Sequence, residues 1–261
     1  MVGGIPIVRP TLDDYRNDSI VVLPAGVGPT EILQCVRLWS PDVAQGIDPF
    51  ARFDIFELRG PIRYDGDDLL GATVPSGYPQ LYALTCGANE TDTGPSFWMG
   101  YDCATGLARR LRGLCRPGFD GEPWDEPWLS EPDPWVHAPV ELSPEETLRL
   151  LAPFLPGLRI EFRDEVTREF RLDGDGVIVW CDPCTPTLYP LVRRESWFTF
   201  GERSTEYQFN SDPETDAPAR VVGAARALAS RTRGLILDED GYPWPNAPVA
   251  APATVDLGFF A

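Results

Sequence analysis

Few side chains in this chain are placed to do chemistry. Cys181 and Cys184 are separated by two residues, the spacing of a dithiol or of half a zinc site. Cys35, Cys86, Cys103 and Cys115 stand singly, and Cys103 and Cys115 are too far apart in sequence to form a second knuckle, so no metal site is expected. Six cysteines in 261 residues are too sparse for a disulfide scaffold, and reduced thiols are expected. His137 is the sole histidine, which excludes histidine-rich metal sites. Its setting, Trp135-Val-His-Ala-Pro139, reads as a solvated loop. All 22 cations are arginine, and the absence of lysine removes Schiff-base chemistry.

The stretch Trp180-Cys181-Asp-Pro-Cys184 resembles the redox loop of thioredoxins. That resemblance implies a helix opening at the cysteine pair, whose N-terminus would stabilise the Cys181 thiolate. Pro186 and Pro190 follow closely and oppose a full helix there. Thiol–disulfide exchange at Cys181 and Cys184 stands as one reading, and two ordinary thiols in a strand-end loop as the other.

Composition bounds the rest. With 40 acidic residues against 22 arginines the formal net charge is −18, the wrong sign for holding a phosphate backbone, so no nucleic-acid partner is expected. Hydrophobic residues at 43% suffice for a packed core despite 28 prolines and 24 glycines. No apolar run approaches the roughly 20 residues that cross a bilayer. The opening MVGGIPIVRPTLDDY lacks the basic-then-apolar order of an export signal. A soluble, cytoplasmic protein without a cofactor is the expectation.

The most unusual stretch is 117–139, PGFDGEPWDEPWLSEPDPWVHAP, with six prolines, six acids, three tryptophans and no arginine. Such a run opposes a helix or a central strand and reads as a connector. Within it, Glu122-Pro-Trp124, Glu126-Pro-Trp128 and Asp133-Pro-Trp135 repeat an acid–proline–aromatic triplet. Proline lowers the entropy lost on docking, tryptophan dominates binding hot spots, and neighbouring carboxylates suit a cationic partner. Asp120, Glu122, Trp124, Asp125, Glu126, Trp128, Asp133 and Trp135 are therefore the candidate partner-binding residues; the competing reading folds the indoles back onto a core. No residue is a candidate catalyst.

The connector divides the chain into a loop-rich α+β half (1–116), the connector (117–139), an α+β half (140–244) and a flexible Pro/Ala-rich tail (245–261) whose apolar end is Leu257, Phe259 and Phe260. Before it, strands are expected at Ile20–Leu23, Arg52–Leu58 and Gln80–Thr85, with helices at Thr30–Trp39 and Ala104–Leu114. After it, Ser143-Pro-Glu-Glu146 spells a capping box. Strands follow at Leu158–Arg163, Thr167–Leu172, Val177–Trp180, Ser196–Gly201 and Ser204–Phe209, then a helix Ala217–Ser230, Gly234 and a short strand Leu235–Leu237. This order describes an antiparallel sheet with helices packed on one face, an α+β fold.

The segment Ala217–Trp244 resembles the C-terminal element of bacterial immunity proteins paired with polymorphic toxins, through Ala225, Leu228, Ala229, Gly234, Leu235, Asp238, Gly241 and Trp244. The resemblance implies a non-enzymatic protein that binds and neutralises a cognate toxin, and a charge of −18 suits a basic partner. The rivals are the thiol–disulfide oxidoreductase above and a structural or mobile-element interaction protein docking through its tail.

Overall fold

A computed structural model describes residues 18–46, 50–62, 68–69, 72–73, 77–86, 95–117, 124–129, 131–185, 189–195, 197–198 and 204–244. The chain divides between Glu131 and Pro132 into two compact units. Each is built on an antiparallel six-stranded sheet, so the fold is α+β. Among the described residues no helix is long and apolar enough to cross a membrane.

The first unit contains β1 (Asp18–Leu23), α1 (Pro29–Trp39), β2 (Ala44–Gln45), β3 (Ala51–Phe53), β4 (Phe56–Ile62), a two-stranded ladder of β5 (Asp68–Leu69) and β6 (Ala72–Thr73), β7 (Gln80–Cys86), α2 (Pro95–Leu111) and β8 (Leu114–Pro117). Its sheet runs β2-β3-β4-β7-β1-β8. All six residues of β1 are buried, as a central strand covered on both faces requires. One face carries Ile20, Val22, Leu81, Ala83 and Leu114, closed by Ile62, Tyr78 and Trp124. On the other, Gly100 of α2 lets the helix approach Phe56, whose ring would stand 3.0 Å from an added Cβ. Trp39, at the end of α1, meets Phe53 and Phe56 edge-on.

Two expectations change here. Arg52–Leu58 is a tight hairpin, because Asp54 adopts φ +52 and turns the chain between two phenylalanines that both pack under Trp39. The second helix starts at Pro95 and stops at Leu111; Arg112 takes a left-handed conformation and Gly113 lies against β1, leaving Leu114 to open a strand.

The second unit contains β9 (Pro134–Ala138), α3 (Pro144–Leu151), β10 (Arg159–Arg163), β11 (Phe170–Gly174), β12 (Val177–Thr185), α4 (Pro190–Arg193), β13 (Ser204–Ser211), α5 (Ala217–Thr232) and β14 (Leu235–Asp238). Its sheet runs β10-β11-β12-β13-β9-β14. The capping box of α3 is formed in full: Glu146 N–H donates to Ser143 Oγ at 3.2 Å and Ser143 N–H to Glu146 Oε2 at 3.1 Å. Val136, Ala138, Phe170, Leu172, Val179 and Phe209 face α3 and α5, whose Leu151, Val221, Ala225 and Leu228 complete a closed core. Gly234 follows α5 because the helix end lies so close to β9 that a Cβ would stand 2.7 Å from the His137 carbonyl oxygen.

The end of the expected connector is not a connector. Pro134–Ala138 is a strand inside the sheet, paired with β13 on one side and β14 on the other. Its prolines do not oppose this, since Pro134 occupies the first strand position and Pro139 lies beyond the last, so no ladder hydrogen bond is lost. His137 is consequently fully buried rather than solvated. The expected strand Ser196–Gly201 is replaced where it is described: α4 precedes it, and Phe198 N–H closes a turn onto the Glu195 carbonyl at 3.0 Å. Residues 199–203 and the tail 245–261 lie outside the described residues.

Candidate functional site

The predicted partner-binding residues are divided between the two units. Asp120 and Glu122 lie outside the described residues, as does the side chain of Trp128. Trp124 is half-buried and packs on the first unit's core, with the fully buried Arg116 guanidinium 5.4 Å from its ring centre. Asp125 is bridged to Cys115 by two backbone hydrogen bonds of 2.8 and 3.1 Å, and its exposed carboxylate accepts from the Tyr101 hydroxyl. Burial, together with Cys115 and Asp125 beside it, raises the Tyr101 pKa, so that hydroxyl remains a donor. Glu126 is exposed and Pro127–Leu129 forms one 3-10 turn, held to α2 where Arg109 Nη1 donates to the Pro127 carbonyl at 2.8 Å.

In the second unit, Asp133 accepts from the Ser211 N–H at 3.0 Å and its hydroxyl at 2.6 Å, pinning the start of β9 to the end of β13. Trp135 lies half-buried in β9. The structure thus gives Trp124 and Asp133 contacts within their own units, and leaves Asp125 and Glu126 at the surface.

A polar layer that the sequence reading missed lies on the second sheet. Alternation along β9 turns Val136 and Ala138 to the core and Trp135 and His137 to the opposite face. Glu206 of β13 pairs directly with His137, and Asp182 of β12 directly with Glu206. His137 Nδ1 stands 3.4 Å from Glu206 Oε2, both groups being almost wholly buried. The Tyr189 ring lies edge-on to the imidazole at 5.4 Å, and Gln208 Nε2 donates to Glu206 Oε1 at 2.6 Å.

Loss of hydration drives both partners toward their uncharged forms. Burial lowers the His137 pKa to about 3, and burial raises that of Glu206 to about 7, with the Gln208 hydrogen bond opposing and Asp182 adding to the rise. The arrangement is a buried pair in which loss of hydration disfavours charge on both members. The signal was present: in Thr205-Glu-Tyr-Gln-Phe209 the acid and amide alternate with two aromatics, which puts Glu206 and Gln208 on the face opposite the core.

The cysteine pair is equally altered by context. Cys181 lies within β12, fully buried in the core beneath the helices, and Pro183 falls where the pairing with β13 shifts register. Burial, reinforced by Glu141 and Asp182, raises the Cys181 pKa and keeps the thiol protonated, the opposite of what an attacking thiolate needs. No helix opens at this pair; the described chain continues as strand to Thr185. The Cys184 side chain lies outside the described residues. Among the described residues no group of three or more potential ligands is placed to hold a metal.

No family model, curated protein or solved structure matches the chain.

Two measurements check this geometry. The native state withholds a proton from His137, so the contribution of this residue is complete above pH 6.5 and is lost as pH falls toward 3; Glu206 contributes fully below pH 4.5, and that contribution is lost as pH rises through about 7. Denaturant titrations across that range should show Glu206→Gln removing the loss between pH 4.5 and 7, worth up to about 3 kcal/mol. Separately, mass-mapped alkylation should label Cys181 only at the rate of unfolding, even at alkaline pH.

Proposed function

We infer that the chain is a non-enzymatic, acidic protein-binding protein of the immunity type, which holds a basic bacterial toxin and masks its working surface. The observation that carries this reading is the first unit's segment 124–131. There Asp125, Glu126 and Glu131 are exposed on the same short stretch as Leu129, which is 69% exposed, and Asp125 is bonded to Tyr101, whose ring meets the 47% exposed Trp98.

Exposed apolar groups set among unneutralised carboxylates are costly for a chain that only needs solubility, and are useful for one that grips a cationic surface. The net charge of −18 supplies a long-range field that speeds encounter with a basic partner and disfavours acidic ones. Masking requires no reacting group, and His137, Glu206 and Cys181, buried where charge is disfavoured, suit a framework better than a catalyst.

Co-expression with the product of the adjacent reading frame tests the reading. The chain should relieve growth arrest, and the combined reversal Glu126→Arg and Glu131→Arg should abolish relief without lowering the melting temperature. Undiminished arrest beside well-expressed, folded chain would contradict it.

A further inference from the structure

The second unit carries a docking element of its own, and the inference rests on the reading of this chain as a binder of basic protein. We propose that the β10–β11 hairpin receives an extended segment of the partner in which cationic and apolar residues alternate, paired along the free edge of β10 and against Val166.

β10 is the terminal strand of its sheet, and all five of its residues are exposed. Ile160 and Phe162 are 36% and 41% exposed, and Val166 in the connecting loop is 93% exposed. Edge strands are ordinarily blunted by charge, proline or a bulge. Here a register shift between Ile160 and Phe162 interrupts the ladder, which limits open-ended stacking of copies, yet the apolar side chains remain. Phe162 lies flat on Trp180 at 5.6 Å, forming a small aromatic platform beside the edge.

The loop is fixed before any partner arrives. Asp164 Oδ1 accepts from the Val166 and Thr167 N–H groups at 2.7 and 3.0 Å, and the Asp164 N–H donates to the Glu169 carbonyl at 2.9 Å. Arg168 Nη1 ties the far side to Glu141 at 2.8 Å. Little order remains to be imposed on the tip, so docking retains more of its contact energy.

Charge decides the occupant. All four hairpin arginines are in ion pairs: Arg159 with Glu161, Arg163 with Glu145, Arg168 with Glu141 and Arg171 with Asp173. Among the described residues Glu165 and Glu169 have no cationic partner; Glu165 immediately precedes the exposed valine and Glu169 follows it in the same loop. An added strand gains main-chain hydrogen bonds from the edge, while its side chains select by charge and apolar fit.

The test uses the full chain and two blocked peptides, one alternating arginine with valine and one alternating glutamate with valine, followed by amide hydrogen exchange. The arginine peptide should slow exchange within Arg159–Val166 only. Val166→Ser, and separately Glu165→Arg with Glu169→Arg, should each weaken it about tenfold without changing the melting temperature. Protection by the arginine peptide at 124–131 and not at β10 would overturn the hairpin assignment and leave the basic-partner reading standing. Protection nowhere, or equal protection by the glutamate peptide, would overturn both.

Discussion

A chain with 40 carboxylates and 22 arginines must keep nearly all of its acids in water, and that requirement shapes everything else in the molecule. Where a carboxylate is buried, it is provided for. Asp238 accepts from the Tyr242 N–H at 2.8 Å, Glu206 takes the Gln208 amide while burial raises its pKa, and burial likewise raises the pKa of Asp18. With polar groups rationed in this way, the apolar side chains can close two separate sheet cores.

Each sheet solves the problem differently. The first buries both faces of its central strand, one under α2 and the other beneath a cluster that includes Trp124. The second separates its faces. Helices α3 and α5 cover a dry face, and the alternate residues of β9, β12 and β13 assemble a buried polar layer in which His137 and Glu206 are neighbours. Charge in such a layer is costly, so burial holds the His137 pKa down and the Glu206 pKa up.

Local signals made much of this legible. The Ser143–Glu146 capping box, the helix α5 and Gly234 after it are short-range devices whose residues carry their own geometry. What stayed hidden depends on distant pairing. Nothing within Pro134–Ala138 announces that β13 and β14 will flank it, and the prolines around it argue for a loop unless their positions at the strand ends are known. With Pro134–Ala138 taken as loop, nothing in the sequence buries His137 or brings the distant Glu206 beside it. The tryptophan triplets illustrate a different limit: repetition in sequence suggested one surface, whereas Trp124 belongs to one unit and Trp135 to the other.

On the proposed reading, the surplus negative potential serves capture and not only solubility. That reading is tested most directly by the association rate of the full chain with the basic toxin it is proposed to neutralise, measured by stopped flow against ionic strength. Raising salt should slow association by about tenfold or more while dissociation changes little. An association rate indifferent to salt would contradict it.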